Sequence, residues 1–334
     1  MLLIDPKDKL PKVAQIVQAI VRSIETGVLK KNDRLLSITD FSKKHKIARD
    51  TVERAYKRLK EEGYITSVPG KGNYVEKVER SNIKILMILN KLSSYKKDVY
   101  EAFIKTLGHK AKVDLQVHHY DPKMLKEILD GARGKYHYYV IMPHFFQDVN
   151  KKELTDILRA VPAHELVLLD KNVSLDFDGY IAVYQDFRKD IYEALESASD
   201  LVDKYTSITI IFPEHRNHPK EITDGIRQFC SEHSKQFLLV SDVSQIDLIK
   251  KHVYITLTDS DLASLIKSIR TEGLSIGEDV GIISFNETAL KELLDITVIT
   301  TDFKAMGETT ARLILNKELV QIHNPFKLIK RRSL

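Results

Sequence analysis

The first eighty residues carry apolar side chains at helical spacing in three consecutive stretches. In residues 13–24 the apolar positions recur every three or four residues, which predicts an amphipathic helix. A short second helix is predicted over 39–44, because Ser37 can accept a capping hydrogen bond from the backbone three residues on while Asp40 reaches back. The third stretch, residues 49–61, predicts a helix with one apolar face and one charged face.

The segment after the third helix is typical of a β-hairpin. Residues 64–67 and 73–75 have strand-forming side chains and flank a basic, glycine-rich turn at 68–72. Residues 45–48 alone separate the second and third helices, a spacing typical of a helix-turn-helix. Three helices followed by a hairpin predict a winged helix. The turn lacks the G-x-x-x-x-G-K-[ST] pattern of a Walker phosphate loop.

From residue 83 onward, apolar strand-like runs alternate with helical patterns. The runs predict strands at 83–89, 113–119, 138–142, 166–169, 180–183, 208–212, 237–240, 253–257, 280–285 and 297–300. Helices are predicted at 98–107, 124–132, 154–161, 188–202, 221–230, 261–271 and 306–315. This alternation predicts two doubly wound units with parallel sheets covered on both faces. The expected domains are 1–76 and 83–334, joined by a polar linker at 77–82.

The chain has 334 residues, a length that suits two or three compact units, and 43% of them are apolar, enough to form their cores. Its charge is divided unevenly along the sequence. Residues 1–81 hold 18 Lys and Arg against 11 Asp and Glu, a net charge of +7, whereas the remainder holds 34 against 36. A basic front segment on a neutral body favours a nucleic-acid partner for that segment alone. A solubilising charged face is the alternative.

Composition argues against several classes of protein. There is no run of 18 apolar residues, and charge and proline interrupt the first ten residues, so we expect no membrane association and a cytoplasmic location. Cys230 is the one cysteine, which excludes an intrachain disulfide and predicts a buried thiol. No cofactor or metal is expected: the pairs His118-His119 and His215-x-x-His218 suit a metal, but scattered surface histidines are favoured.

Polar residues stand just past several predicted strand ends. Doubly wound sheets bind ligands at the carboxyl ends of their strands, and two facing lobes enclose a small molecule between them. The candidates for this site are Asn90, Asp170, Asp186, Arg216, Asp259 and Asn286. As a set they suit the hydroxyl groups of a polyol, although each one alone is also explained as a cap or turn residue.

Residues 10–76 contain three specific motifs. These are the I-x-x-G-x-L step that ends at Leu29, the R-D-T-V-x-x-A-Y-x-x-L helix and the E-G-Y-I…G-K-G-x-Y-V wing. With them the front segment resembles the DNA-binding domain of the GntR family of bacterial transcription regulators. Leu36, Thr39 and Ala48 depart from the family pattern, which usually has Pro, Arg and Ser at these places.

The resemblance implies which residues contact DNA. Arg49 would read a guanine edge through two hydrogen bonds or clamp a phosphate. Thr51, Arg54 and Lys57 would position phosphates, and Glu53 would either accept from cytosine N4 or orient Arg49. The implied DNA-contacting set is Ser37, Thr39, Arg49, Asp50, Thr51, Glu53, Arg54, Lys57, Gly70, Lys71 and Gly72.

Three stretches of the rear segment carry a second resemblance: SIGEDVGIISFNETALKELLDITVITTDFKAMGETTARLIL at 275–315, LVLLDKN at 166–172 and LTDSDLASLIKSIRTEGL at 257–274. They resemble the effector domain of LacI-type repressors, which shares its fold with periplasmic sugar-binding proteins. Asp170, Asp259 and Asn286 then fall on family ligand positions. Ile222 occupies the place of a family arginine, for which Arg216 is the candidate substitute.

Together the resemblances imply an α/β chain with a winged helix-turn-helix in front of a two-lobed, periplasmic-binding-protein-like domain, as in arabinose-type regulators. We expect a homodimer that reads a palindromic operator and acts as a repressor of a carbohydrate-utilisation operon under the control of a small sugar or sugar derivative. No enzymatic activity is expected, because the G-x-S-x-G, H-E-x-x-H and G-x-G-x-x-G motifs are missing. The alternative is a sugar-processing enzyme or a simple sugar-binding protein with an accessory nucleic-acid-binding domain.

Overall fold

The chain folds as two compact units, Met1–Lys84 and Ile85–Leu334. The computed structural model describes residues 11–25, 27–76, 83–145, 149–213 and 218–334. The predicted linker at 77–82 therefore lies outside the described residues. Within the described ranges, no helix combines the length and apolar character needed to cross a membrane.

The first unit is the predicted winged helix-turn-helix. Its elements are α1 (Lys12–Glu25), α2 (Ile38–His45), α3 (Arg49–Glu61), β1 (Ile65–Val68) and β2 (Gly72–Val75). The two strands form an antiparallel hairpin, in which Ile65 pairs with Val75. The apolar faces of the three helices and the hairpin close over a single core, with Phe41 and Tyr56 in edge-to-face contact at its centre.

Capping fixes the turn between α2 and α3. Ser37 accepts a hydrogen bond from the backbone N–H of Asp40 at 3.0 Å, and its hydroxyl donates to the Asp40 carboxylate at 2.6 Å, so the predicted cap is confirmed. Lys46 ends α2 in the left-handed region at φ 53°. Ala48 begins α3 without a side-chain cap, as its methyl group requires.

The second unit contains two lobes, each built on a six-stranded sheet. Lobe 1 has the strand order β13-β7-β6-β5-β3-β4 and lobe 2 the order β14-β12-β11-β10-β8-β9. The strands of lobe 1 are β3 (Ile83–Leu89), β4 (Ala111–Val117), β5 (Tyr138–Ile141), β6 (Leu166–Lys171), β7 (Ile181–Gln185) and β13 (Gln321–His323). Those of lobe 2 are β8 (Ser207–Ile211), β9 (Gln236–Val240), β10 (His252–Thr256), β11 (Gly281–Phe285), β12 (Thr297–Thr301) and β14 (Phe326–Ile329).

Helices cover both sheets, as the strand-helix alternation predicts. They are α4 (Ser94–Leu107), α5 (Pro122–Ala132), α6 (Lys151–Leu158), α7 (Phe187–Glu196), α8 (Ser199–Val202), α9 (Glu221–Glu232), α10 (Asp259–Thr271), α11 (Ala289–Leu293) and α12 (Phe303–Asn316). The central strands β8, β10, β11 and β12 are buried along their whole length, as expected for strands of a parallel sheet that is covered on both faces.

The chain passes between the lobes three times. It leaves lobe 1 after β7 to enter α7, returns after β12 through α12, and crosses again between β13 and β14. Asn324 ties the last two connections together, because its side-chain amide donates to Thr301 Oγ1 at 2.8 Å and to the Asp302 carbonyl at 2.9 Å. The lobes are therefore joined by a hydrogen-bonded hinge of three segments.

Several details differ from the sequence-based expectation. Strands β13 and β14 and helix α11 were not predicted. The strand predicted at 113–119 ends at Val117, because His119 and Tyr120 turn the chain at φ 50° and 62°. The helix predicted at 188–202 is divided into α7 and α8, with Ala198 out of helical conformation between them at φ −120°.

Helix α12 packs closely on α4 at a single glycine. A Cβ on Gly307 would lie 2.3 Å from the Val99 carbonyl oxygen and 2.9 Å from the Phe103 nitrogen. Backbone cannot yield to a methyl group as the end of a flexible side chain can, so this contact requires glycine.

We expect Gly307→Ala to lower the free energy of unfolding by about 1–3 kcal/mol, because the added methyl group forces the two helices apart. Gly131→Ala is the matched control: it lies within α5, and a Cβ there meets nothing within 4 Å. That substitution should be neutral or stabilising by up to about 1 kcal/mol. Urea denaturation of both variants measures the difference, and equal stabilities would contradict the packing argument.

Candidate functional site

The outward face of α3 is charged and exposed. Arg49, Glu53, Arg54 and Lys57 are all exposed, and Thr51 is partly buried. The inward positions of the same helix, among them Val52 and Tyr56, are buried in the core. Because of this helical periodicity, the predicted DNA-contacting residues face outward, and the apolar residues on the opposite side of α3 hold the helix against the core.

Some of the charged side chains of α3 form ion pairs with each other. Arg54 lies 2.6 Å from Asp50, one helical turn earlier, and both side chains are about 70% exposed. Lys57 faces Glu61 at 4.0 Å. Exposed pairs of this kind contribute only about 0.3–0.5 kcal/mol, so a phosphate can readily displace the carboxylate.

The wing presents a basic turn with two unusual glycines. Gly70 has φ 73° and open space around its α-carbon, so it suits close approach of a large partner. Gly72 has φ 112°, but the Arg34 guanidinium lies over it, 3.2 Å from the Cβ position. Lys71 is exposed between them. Gly72 therefore has a packing role as well as the conformational one that the sequence suggests.

Two further residues of the DNA-contacting set lie at the start of α2. Ser37 and Thr39 are both exposed. The Ser37 hydroxyl is engaged in the helix cap with Asp40, as described above. A DNA phosphate has only acceptor oxygens, so the Ser37 hydroxyl can donate to it only by releasing Asp40, and the backbone N–H groups at the start of α2 are the other donors.

A cavity of about 450 Å³ opens between the two lobes of the second unit. Its walls come from the carboxyl ends of strands in both lobes, where doubly wound sheets place their ligands. The lining residues are Asn90, Lys91, Ser93, Tyr95, Lys96, Tyr120, His144, Asp170, Gln185, Phe187, His218, Pro219, Ile222, Leu257, Thr258, Asp259, Phe285, Asn286 and Phe303. We call this cavity the cleft.

The structure brings four of the six candidate ligand residues into the cleft. Asn90 and Asp170 line it from lobe 1, and Asp259 and Asn286 line it from lobe 2. Asp186 instead caps α7 by accepting from the Lys189 backbone N–H at 3.3 Å, the alternative that the sequence left open for it. Arg216 lies outside the described residues.

Asp170 forms the most strongly bonded group in the cleft. Its carboxylate accepts hydrogen bonds from Lys96 and Gln185, and His144 Nε2 lies 3.0 Å away. Asp170 is 4% exposed and Lys96 is 7% exposed. Burial opposes ionisation of the carboxyl, but the Lys96 charge and the surrounding donors hold the pKa of Asp170 well below its usual range.

The neighbouring polar groups of lobe 1 leave one acceptor open. Asn90 is 3% exposed, and its Oδ1 has no hydrogen-bond partner among the residues that the structure describes. Burial and the Asp170 charge raise the pKa of Tyr120, so its hydroxyl is neutral at pH 7. A ligand hydroxyl donating to Asn90 would satisfy an oxygen that is otherwise costly to bury.

Lys291 connects several groups in the wall of the cleft that lobe 2 contributes. Its Nζ, in a side chain only 2% exposed, lies 2.9 Å from Asp259 and donates to the carbonyl oxygens of Phe285 and Asn286 at 2.5 and 2.9 Å. These bonds fix the end of β11, where Asn286 has φ 63°. Burial lowers the pKa of Lys291, and the Asp259 charge opposes that shift.

Aromatic rings line the cleft beside these polar groups. Tyr95 and Phe303 stack with centroids 5.2 Å apart and planes inclined by 22°. Burial, assisted by the charge of Asp259, raises the pKa of Tyr95 to about 12. Aromatic faces pack against the C–H surfaces of a solute while hydroxyl, amide and carboxylate groups bond its polar edge. The arrangement suits a small, uncharged, polyhydroxylated molecule.

Several cleft residues were missed by sequence reasoning. Gln185 is the last residue of β7 and Phe187 the first of α7, so they flank Asp186, the residue that the strand-end rule selected at this place. Lys96 carries no such signal, because a helix lysine is normally exposed.

Two predictions concern residues outside the cleft. His118 is fully buried, which contradicts the expectation of a surface histidine. Cys230 is buried as predicted, and burial raises the pKa of its thiol to about 11.

Comparison with known families agrees with both halves of this geometry. Residues 5–75 match the bacterial regulatory proteins of the gntR family, and residues 202–334 match the periplasmic binding protein-like domain. The chain carries a GntR-family DNA-binding domain followed by a periplasmic-binding-protein-like domain. It is accordingly a transcription regulator, and the expectation that it is not an enzyme is confirmed by these families.

Individual proteins resemble different parts of this GntR-type regulator. It is 29% identical over 134 residues, 40% of this chain and 96% of the other, to the HTH-type transcriptional repressor YtrA of Bacillus subtilis. A periplasmic binding protein/LacI transcriptional regulator from Alkaliphilus metalliredigens, complexed with D-xylulofuranose, matches 75% of this chain and 98% of its own at TM-score 0.58 and 16% identity. The Lac repressor dimer bound to operator and an anti-inducer matches 76% and 95%, at TM-score 0.61 and 14% identity. The two structural matches establish a shared fold.

We expect Asp170→Asn to lower the free energy of unfolding by about 3–5 kcal/mol, because Lys96 is left buried without its counter-charge. Asp130→Asn is the control: it removes a carboxylate that pairs with Lys126 at 2.5 Å on the surface of α5, with both side chains more than half exposed. That change should cost less than about 1 kcal/mol. Denaturant titrations at pH 7 compare the two.

The same variant tests the charge state of Asp170. A lowered pKa in the folded protein means that the carboxylate stabilises the fold above its unfolded-state pKa of about 3.9 and loses this contribution as the pH falls. The stability difference between the native chain and Asp170→Asn should therefore narrow below about pH 4. A difference independent of pH would show that the lost stability is not electrostatic.

Proposed function

We propose that this GntR-type regulator binds a palindromic operator as a homodimer and is controlled by a small sugar, or a close derivative, held in the cleft. The observation that carries the proposal is the presence on one chain of an exposed, cationic α3 and a two-lobed cleft lined with paired polar groups and aromatic rings. A protein that joins these two features can report the concentration of a solute at a DNA site.

On the DNA side, the exposed start of α3 is the base-reading end. Arg49 is exposed in the first turn and carries a planar guanidinium that matches guanine N7 and O6. Thr51, Arg54 and Lys57 are placed along the same helix to contact phosphates, which fix register without reading sequence. Lys71 in the wing adds a further phosphate or minor-groove contact.

On the effector side, the charges that line the cleft are largely neutralised inside the protein. Asp170 is bonded to Lys96, and Asp259 is bonded to Lys291. What remains for a ligand is hydrogen-bonding capacity, including Asn90 Oδ1, and aromatic surface. A neutral sugar uses both, and the D-xylulofuranose in a protein of the same fold supports this class of effector.

The homodimer is proposed because a winged helix reads one half-site, and two copies related by a twofold axis read a palindrome. The Lac repressor dimer bound to its operator supports that arrangement for the fold of the second unit. Ligand binding would close the lobes about the hinge and alter the dimer, so that the operator-competent form becomes less populated. The coupling expected is about 1–3 kcal/mol, and it is reciprocal.

The biological setting follows from the same proposal. A regulator that a sugar releases from DNA acts as a repressor of genes for the use of that sugar, and YtrA, which is similar to this chain over 134 residues, is named a repressor. Such a protein works in the cytoplasm, where the chromosome is.

We expect Arg49→Ala to weaken binding to the preferred operator by about 1–3 kcal/mol and to reduce discrimination against random duplex. The operator is obtained first by selection from a random duplex library with the native protein. Fluorescence anisotropy then measures affinity for the selected and the random duplex over a range of salt concentrations.

Lys57→Ala is the matched comparison on the same face of α3. It should weaken binding to both duplexes alike and reduce the slope of log affinity against log salt by about 1, because one phosphate contact is lost. Equal losses of Arg49→Ala on the selected and the random duplex would exclude a base-reading role for Arg49.

We expect Asp259→Asn to weaken effector binding at least about tenfold, because an amide is a weaker acceptor for hydroxyl groups than a carboxylate and because Lys291 loses the charge that it pairs with in the cleft wall. The effector is found by thermal-shift screening of the native chain against pentoses, hexoses, deoxyhexoses and their phosphates. Calorimetry then compares the variant with the native chain.

The surface variant Asp130→Asn serves again as the control and should bind the effector normally. Operator binding by Asp259→Asn in the absence of effector should equal that of the native chain. Undiminished effector binding by Asp259→Asn would remove this residue from the site.

A further inference from the structure

A second cavity, of about 410 Å³, lies at the hinge between the lobes of the second unit. It is lined by Asp190, Glu193 and Ala194 of α7, by Ser197 just beyond that helix, and by residues 323–328, which run from the end of β13 into β14. Its residues belong to both lobes, and none of them lines the cleft. We call it the hinge cavity.

Two buried side chains in the hinge cavity have an oxygen without a partner. Asp190 is 2% exposed; its Oδ1 lies 2.5 Å from His323 Nε2, while its Oδ2 is unbonded among the described residues. Asn324 is 1% exposed; its amide nitrogen is fully used in the hinge, and its Oδ1 is likewise unbonded in the described part of the chain. Both open atoms are acceptors, so a matching ligand must be a donor.

The charge of the Asp190 carboxylate determines which kind of hydrogen-bond donor binds best. A carboxylate with so little exposure is poorly solvated, and His323 is its one ion-pair partner in the described structure. Burial raises the pKa of Asp190 to about 6, although His323 opposes the rise. The carboxyl is therefore ionised at pH 7 but incompletely compensated. A cationic donor gains more here than a neutral hydroxyl, because it supplies the missing positive charge along with the hydrogen bond.

We infer that the hinge cavity is a binding site for a small organic cation whose primary ammonium group donates to Asp190 Oδ2 and Asn324 Oδ1. The carbon chain of the ligand packs against Phe326 and Leu328, which also line the cavity. Glu193 and Lys327 also line the cavity, and their opposite charges offset each other, so the negative charge left for a ligand is that of Asp190. A cation bound here contacts segments of both lobes, so it favours the lobe arrangement in which these segments are held together.

Calorimetry on the full chain tests the site with ethanolamine as probe and ethylene glycol as its neutral match. The two molecules have the same size and differ in the ammonium group. We expect ethanolamine to bind at least about tenfold more tightly than ethylene glycol. Equal affinities would mean a neutral polyol site, and binding of neither would mean that water alone satisfies the two oxygens; each result overturns the proposal.

Asp190→Asn tests the assigned carboxylate. The amide keeps an oxygen to accept from His323 and preserves the side-chain volume, and it should weaken ethanolamine binding about tenfold or more. Ser197→Leu is a second variant, which leaves Asp190 intact and narrows the cavity, and it should also weaken binding. Asp130→Asn should have no effect. Unchanged affinity in both hinge variants would place the cation elsewhere.

The pH dependence of ethanolamine binding gives an independent measurement. The groups that face Asp190 are Asp186 and Glu193 on α7, His323 on β13 and Lys327 on β14. As the pH falls through about 6, the Asp190 carboxyl is neutralised, so the affinity for ethanolamine should fall. Loss of ethanolamine binding in Asp259→Asn, a variant of the cleft, would instead show that the cation occupies the effector site, and would refute the inference without touching the proposed regulation by sugar.

Discussion

The buried carboxylate of Asp170 is the constraint on which the cleft depends. A charge with 4% exposure persists only if the protein replaces the lost hydration, and here Lys96, Gln185 and His144 do so from three different elements of lobe 1. Helix α4, strand β7 and the segment after β5 are thereby held at one point. The positions of the remaining polar groups in lobe 1 follow from that arrangement, as does the near neutrality of the cavity.

Lobe 2 also compensates a buried charge, but this charge is positive. There the buried group is the Lys291 ammonium, and Asp259 together with two backbone carbonyl oxygens compensates it. Asp170 and Asn286 both stand at strand ends with positive φ, at 75° and 63°. Each lobe therefore presents a preorganised polar edge whose charge is already satisfied. A ligand need not break an ion pair to bind, which favours neutral solutes over charged ones.

Sequence reasoning succeeded where local pattern and chain topology act together. The winged helix follows from helical periodicity, capping and turn residues, and the doubly wound lobes follow from the alternation of buried strands with helices. The strand-end rule brought Asn90, Asp170, Asp259 and Asn286 to one cavity. It failed for Lys96, because burial of a helix lysine depends on a carboxylate 74 residues away. Strands β13 and β14 were missed for a different reason: they have only three and four residues, too few to show a strand pattern, and they become strands by pairing with β7 and β12.

The short strands that the sequence did not reveal are the ones that define the hinge. Strand β13 completes the sheet of lobe 1 and β14 the sheet of lobe 2, so the residues between them cannot follow both lobes if the lobes rotate. Asn324 lies in that connection and bonds the adjacent one, and His323 bonds Asp190 at the third. Motion about the hinge must therefore conserve or exchange these few hydrogen bonds. Such a requirement favours discrete arrangements over continuous bending, and discrete arrangements are what allow a bound solute to shift a DNA-binding equilibrium.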